Sequence, residues 1–171
     1  MRDALAPLTP ATPRPEGQPK GLNVLGTFAH HPELTAAFMR FNAHVLYGST
    51  LSPRQRELAV LRVAALRDAT YEWAQHALMA LDCGIDEAEV ARVAVGPDAP
   101  GWSGPEQAML RAVDELVRDA TISDATWTAL RDDFDNQQWL DLVFTVGAYD
   151  VLAMALGMCG TPLDDDLKRA R

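Results

Sequence analysis

The sequence has few cysteines, few basic residues and no long apolar run, and each shortage excludes a class of protein. Two cysteines in 171 residues cannot build a disulfide framework, and no four Cys or His residues have the spacing of a zinc site. Lys and Arg number 15 against 24 Asp and Glu, and the net charge of −9 repels nucleic acid and anionic membranes. Uninterrupted apolar runs fall far short of the roughly 20 residues of a membrane span, and the N-terminus shows no secretory signal. We therefore expect a soluble, cytoplasmic protein that binds neither nucleic acid nor a membrane.

The composition that remains is typical of one globular domain. Apolar residues make up 48% and charged residues 23% of the chain, which are ordinary values for a folded protein. Residues 1–21 contain five prolines and predict an extended arm rather than a helix. Residues 22–163 show helical periodicity and form the predicted domain. Residues 164–171 begin with three aspartates and predict a charged, solvated tail.

Signals for the ends of helices recur along the predicted domain, and no segment has a convincing strand pattern. Ser52-Pro53-Arg54-Gln55 is a capping box with proline at the first helical position, and it predicts a helix to about Arg67. Asp68 is predicted to cap the next helix, which runs to Cys83 and stops at Gly84. The other predicted helices run from Pro32 towards Tyr47, from Asp86 to about Val93, from Ser103-Gly104 to about Asp119, from Ser123 to about Phe134, and from Asp135 or Asn136 to about Met158. The predicted fold class is all-α.

Residues capable of acid–base chemistry lie in two of these helices. Glu72 and His76 are four residues apart and therefore share one helix face. A carboxylate beside an imidazole raises the imidazole pKa and can orient its tautomer, so the pair is a candidate proton donor and acceptor. Such pairs are also common on solvated helices that have no function. Glu57 adjoins an apolar stretch, where a buried carboxylate would need a partner or a proton; the alternative is an exposed Glu57, or one paired with Arg54 or Arg56.

Two motifs resemble one protein family. The segment from Arg56 to Ala64, followed by Tyr71-Glu72-Trp73-Ala74-Gln75-His76 and Gly84, is similar to the carboxymuconolactone decarboxylase family, whose superfamily includes the alkylhydroperoxidase D-like proteins. The likeness continues upstream at Ala29–Leu34 and downstream from Gly147-Ala148-Tyr149 through Pro162-Leu163. The resemblance implies an AhpD-like helical fold. It also implies a homo-oligomer, commonly a trimer or a hexamer, with sites near the subunit contacts.

The two branches of the superfamily differ at a few motif positions, and the residues of this sequence can be compared with each branch in turn. In the hydroperoxidase branch, two cysteines precede the motif histidine by seven and four residues, and a relay glutamate lies twelve residues before the first of them. Counting back from His76, these positions hold Ala69, Glu72 and Glu57. Without either redox cysteine, thiol peroxidase activity is not expected. In the decarboxylase branch glutamate takes the place of the second cysteine, as Glu72 does here, although Ala69 departs from the cysteine often found at the first position.

The expected function is therefore cofactor-free acid–base chemistry on a small lactone or β-keto acid, as in a carboxymuconolactone decarboxylase-like lyase, with no metal. His76 is the expected proton donor, Glu72 its orienting partner and Glu57 a second relay acid. An anionic substrate would need a local cation. The candidate substrate-binding residues are Arg56, Arg62, Tyr71 and Trp73. Two alternatives stay open: an isomerase or cyclase of secondary metabolism on the same scaffold, or a non-catalytic binding or assembly protein.

Overall fold

The computed structural model describes residues 21–168, whose regular secondary structure consists of helices joined by turns and short loops. A π-helical segment, His44–Gly48, continues the second helix. No strand occurs in residues 21–168, so the predicted all-α class is confirmed. Apart from Gly21, the predicted proline-rich arm of residues 1–21 lies outside the described residues. The α-helices are α1 (Leu22–Phe28), α2 (Pro32–Ala43), α3 (Pro53–Leu66), α4 (Thr70–Asp82), α5 (Glu87–Val95), α6 (Gly104–Asp119), α7 (Asp124–Leu130), α8 (Asn136–Cys159) and α9 (Asp165–Lys168).

Helix α3 lies at the centre of the fold, where it packs against α4, α5, α6 and α8. All eight residues from Glu57 to Ala64 are buried, because neighbours cover every face of this helix. A helix buried all round must be apolar all round, and this run satisfies that requirement except at Glu57 and Arg62. These two charged side chains must therefore find partners within the core.

Most of the predicted helix starts are confirmed by their caps. Ser52, Asp86, Ser103 and Asp135 each complete a capping box with the residue three positions later. Asp68 does not cap α4 as predicted. Its φ is +51°, in the left-handed region, and α4 begins only after Ala69, whose side chain makes no cap hydrogen bond.

One predicted helix changes its type before its predicted end, and another ends earlier than predicted. The helix that starts at Pro32 changes to the wider π-helical turn at His44, whose Nε2 is 2.7 Å from Asp141 Oδ1 on α8. Helix α7 ends at Leu130, because a turn follows that brings the Phe134 ring into the core. Both differences arise from contacts with distant parts of the chain, which a local pattern does not record.

The predicted solvated tail is wrong at its first residue. Asp164 is buried, and its carboxylate accepts hydrogen bonds from Asn23 N at 2.8 Å and from the Tyr71 hydroxyl at 2.7 Å. Leu167 in α9 is buried as well. Two good donors and an apolar neighbour compensate for the loss of water around the carboxylate, so this segment packs onto α1 and α4.

Helix α8 has one buried face and one exposed apolar face. It is long and apolar enough to cross a membrane by length and composition, a test that the core helix of a globular protein also passes. Its buried face packs on α3, and its Asp150 is ion-paired with Arg67 at the end of α3. Its exposed residues recur at alternating intervals of four and three and form what we call the apolar stripe of α8: Leu140, Phe144, Gly147, Val151, Met154 and Met158.

Candidate acid–base site

Helices α3 and α4 bring Glu57 and His76 together inside the fold. The Nδ1 atom of His76 lies 2.7 Å from Oε2 of Glu57, whose side chain is 0% exposed. An ionised carboxylate can only accept, so the proton of this hydrogen bond is on Nδ1. In the neutral imidazole, Nε2 is then an acceptor, and it has no hydrogen-bond partner within residues 21–168. The side chain of His76 is 9% exposed, so it is not fully shielded from solvent.

Arg56 completes the surroundings of Glu57. Its Nε and Nη2 atoms donate to Glu57 Oε1 at 3.2 and 3.1 Å, and its Nη1 donates to the Leu46 carbonyl of the π-helical segment at 3.0 Å. Burial acts to raise the pKa of Glu57, but the charges and hydrogen bonds of His76 and Arg56 hold that pKa below its ordinary value. Glu57 is therefore an anion at neutral pH, and it fixes the orientation of the imidazole.

Glu72 does not orient His76, which corrects the role expected from the sequence. The two side chains share a face of α4, but the hydrogen bond of His76 goes to Glu57, because the packing of α3 against α4 places Glu57 next to Nδ1. Glu72 is 3% exposed, and neither of its carboxyl oxygens has a hydrogen-bond partner among the described residues. Burial, with a smaller contribution from the charge of Asp150, raises the pKa of Glu72 to about 8. At neutral pH Glu72 is thus a neutral acid with a proton to donate.

Tyr149 on α8 is a member of the cluster that the sequence analysis did not identify. Its ring packs edge-to-face on His76, with centroids 4.9 Å apart and planes at 88°. Its hydroxyl makes no hydrogen bond within the described part of the chain, and burial together with the charges of Glu57 and Glu72 raises its pKa well above the ordinary value. The one signal in the sequence was its place in the Gly147–Tyr149 segment of the family resemblance. On an apolar helix, however, a tyrosine more often indicates core packing.

Of the four predicted substrate-binding residues, only Arg56 lies in this cluster. Arg62 follows Glu57 by five positions, which turns it about 140° around α3. Its Nε and Nη2 atoms donate to Asp114 at 2.5 and 2.9 Å, so its charge is already neutralised on the α6 side of the fold. The Tyr71 hydroxyl donates to Asp164 and helps to fix the C-terminal segment. Trp73 is half-buried and packs against the hydrophobic core.

A second histidine–carboxylate pair supports the cluster from outside. Asp141 accepts from the backbone N and the hydroxyl of Thr50 at 2.6 and 2.7 Å, and it also bonds the half-exposed His44. These contacts attach the π-helical segment to α8, and that segment supplies the Leu46 carbonyl that holds Arg56. The pair therefore helps to position Arg56 against Glu57.

The two thiols are not placed for redox chemistry. Cys83 is half-buried, and burial raises the pKa of its thiol, with the charge of Glu57 adding to the effect. Cys159 is exposed at the end of α8. Where the hydroperoxidase branch has its cysteines, this chain has Ala69 and the buried Glu72. Among residues 21–168, no three or more His, Cys, Asp or Glu side chains are grouped so that they could hold a metal ion.

The carboxymuconolactone decarboxylase family matches residues 32–115, a region that contains Glu57, Glu72 and His76 but ends before Tyr149.

Solved structures with the same fold include the AhpD core of an uncharacterised peroxidase-related protein from Ralstonia eutropha (TM-score 0.75, 21% identity, covering 85% of this chain and 78% of that one). A peroxidase-related protein from a Silicibacter species has a TM-score of 0.76 at 18% identity, covering 84% of this chain and 77% of that one. A protein of unknown function from Agrobacterium tumefaciens, named as a candidate antioxidant defence protein AhpD, has a TM-score of 0.74 at 18% identity, covering 80% and 94%. At these identities the structures show the AhpD-like fold alone. No curated protein sequence matches the chain significantly.

Proposed function

Because residues 32–115 form a domain of the carboxymuconolactone decarboxylase family, we propose that this protein is a cofactor-free enzyme that carries out acid–base chemistry on a small carbonyl compound. The reaction is a decarboxylation or a proton transfer on a lactone or keto-acid type of substrate. One observation carries the proposal: two buried carboxyl groups have opposite surroundings, since Glu57 is hydrogen-bonded to His76 and Arg56, whereas Glu72, one turn before His76 on α4, has no hydrogen-bond partner among the described residues. The charges and hydrogen bonds of His76 and Arg56 hold the pKa of Glu57 below its ordinary value, whereas burial raises the pKa of Glu72 to about 8. When their surroundings separate the pKa values of two carboxyl groups in this way, one can act as a base or as the partner of a base, and the other can act as an acid.

The geometry gives each group a step in such a reaction. His76, oriented through Nδ1 by Glu57, uses the free Nε2 to remove a proton from carbon or to return one. The electron pair of the broken C–H or C–CO₂ bond moves onto the carbonyl oxygen of the substrate. Glu72 is the acid that donates a hydrogen bond to that oxygen as its charge develops, and donors arranged in advance stabilise such a charge strongly.

The same residues favour this chemistry over thiol peroxidation. The word peroxidase belongs to the names of proteins that share the fold, at 18–21% identity. This chain has Ala69 and Glu72 at the two redox positions, and burial disfavours a thiolate at Cys83. Two free cysteines are also in keeping with a reducing compartment, so we propose that the protein is cytoplasmic.

We also propose that the protein is a homo-oligomer that assembles through the apolar stripe of α8. Alternating intervals of four and three are those of helices that pack against one another in coiled coils. The stripe extends about 27 Å along the helix, and exposed apolar surface of that extent marks a contact site. When a second copy of the chain lies antiparallel across the stripe, the apolar residues of the two α8 helices face one another. Gly147 has no side chain and allows the two helices to approach closely. A hexamer built from three such pairs agrees with the oligomer that the family resemblance implies.

The test of the enzymatic proposal is incorporation of solvent deuterium at carbon, followed by NMR on a panel of lactones, ketones and β-keto acids. We expect His76→Asn to lose 10²–10⁴-fold in rate, the usual contribution of general acid–base catalysis. His30→Asn, at an exposed histidine, and the double variant Cys83→Ser/Cys159→Ser should retain the wild-type rate. Full activity in folded His76→Asn, or dependence on the thiols, would contradict the proposal.

A further inference from the structure

We propose that the site takes an uncharged carbonyl compound, whose oxygen is bound jointly by the Glu72 carboxyl and the Tyr149 hydroxyl. This inference rests on the proposed acid–base function and narrows it to a substrate class. It also favours transfer of a proton between carbons over decarboxylation, because a substrate that loses CO₂ must first bring a carboxylate into the site.

Each of the two arginines near the cluster is already paired with a carboxylate. Arg56 is engaged by Glu57 and by the Leu46 carbonyl. Arg67 is engaged by Asp150, the group whose charge acts on Glu72. Within residues 21–168, neither of these cations is free to receive a carboxylate. An anionic substrate would lose its water and find no free cation to balance its charge, which makes its transfer into this buried cluster costly.

Two neutral donors, in contrast, are present without acceptors. Glu72 and Tyr149 are both buried, and both carboxyl oxygens of Glu72 are shielded from solvent without a hydrogen-bond partner among the described residues. The Tyr149 hydroxyl also makes no hydrogen bond to residues 21–168, so it can donate to a ligand. A buried polar group without a partner costs about 1–3 kcal/mol, and folded proteins keep few of them. Glu72 is one turn before His76 on the same face of α4, and Tyr149 packs against the His76 ring.

A carbonyl oxygen matches these donors, because its two lone pairs can accept two hydrogen bonds. It is neutral in the bound substrate and becomes negative only as His76 removes the proton from the adjacent carbon. The donors are then at their strongest in the transition state. In a carbonyl compound with a C=C bond next to the reacting carbon, the C–H bond breaks, its electron pair forms a conjugated enolate and Nε2 holds the proton. The proton then returns to the far carbon of that C=C bond, and the double bond shifts into conjugation with the carbonyl group. The overall change is an isomerisation that needs no co-reactant.

Binding of phenol, a neutral mimic of an enol, tests the inference without requiring turnover. Benzoate is the matched anionic probe, and the imidazole NMR signals of His76 provide the readout. We expect saturable binding of phenol at pH 7 and binding of benzoate that is at least 10-fold weaker. Tyr149→Phe should weaken phenol binding several-fold while the protein stays folded. In the wild type, phenol binding should fall as the pH rises through about 8, where Glu72 loses its proton, whereas Glu72→Gln, which keeps an N–H donor, should still bind at pH 9.

Each outcome separates this inference from the proposed function. Benzoate binding as tightly as phenol, or no binding of phenol, would overturn the neutral-substrate inference. If keto acids then exchanged deuterium in a manner that depended on His76, the acid–base function would still stand. If phenol bound as expected but no carbonyl compound exchanged deuterium, the donor pair would be supported and the enzymatic proposal would fail.

Discussion

Oε2 of Glu57 on α3 lies 2.7 Å from Nδ1 of His76 on α4, so the imidazole is oriented from the neighbouring helix and not from its own. This hydrogen bond crosses the α3–α4 contact in the core. It leaves Glu72, which the four-residue spacing had suggested as the partner, free to act as a separate acid.

The first prediction concerns the charge of Glu57. Glu57→Gln removes the anion that pairs with Arg56 and leaves that arginine unpaired near the core. Breaking a buried ion pair costs about 3–5 kcal/mol of unfolding free energy, and we expect a loss of this order in urea unfolding. Glu87→Gln, at an exposed position in α5, is the matched control and should change stability by less than about 0.5 kcal/mol. Equal stability of Glu57→Gln and the control would show that the ion pair is not formed.

The second prediction concerns the dependence of stability on pH. The pKa of Glu72 is about 8 in the folded state against 4.5 for the ordinary group, so between these values the folded chain holds a proton that the unfolded chain has released. The stability from this proton is complete below about pH 4.5 and is lost as the pH rises through about 8. A gap this wide amounts to about 5 kcal/mol. Urea unfolding at pH 5, 7 and 9 should therefore show Glu72→Gln gaining stability over the wild type as the pH rises. Curves that stay parallel across this range would contradict the burial of a protonated Glu72.

The third prediction concerns assembly. Val151 is at the middle of the apolar stripe of α8 and is 53% exposed, so Val151→Glu places a charge in the proposed contact without disturbing the core. Light scattering should give a multiple of 18.7 kDa for the wild type and a mass near 18.7 kDa for this variant. Val95→Glu is the control, because Val95 is 72% exposed but lies on α5. A wild-type monomer at micromolar concentration, or an unchanged mass for Val151→Glu, would exclude the stripe as the contact.

The helices could be predicted from the sequence because their signals are local. A capping box such as Ser52–Gln55 contains both of its hydrogen-bonding partners within four residues, and the structure confirms it. The start of α4 was missed because Asp68 adopts a left-handed backbone after α3 ends, which the side-chain type alone does not indicate. The burial of Asp164 was missed for another reason, since its donors, Asn23 and Tyr71, lie far away along the chain.

The sequence could predict which residues form most of the candidate site, but not which of them contact one another. Glu57, Glu72 and His76 were identified from motif spacing, but spacing does not determine which carboxylate the imidazole contacts. That choice depends on the packing of α3 against α4, which places Glu57 next to Nδ1. Tyr149 joins the cluster from α8, 73 positions after His76, so no local pattern could connect the two residues.

The most direct test of the account is an NMR titration of the side-chain carboxyl carbons in protein labelled with ¹³C-glutamate. The signals that disappear in Glu57→Gln and in Glu72→Gln assign the two resonances without any substrate. Glu72 should titrate near pH 8, and Glu57 should titrate below the ordinary value of 4.5. Two ordinary titrations near pH 4.5 would show that the carboxyl groups do not differ in protonation at neutral pH, and would contradict the assignment of one as the acid and the other as the partner of the base.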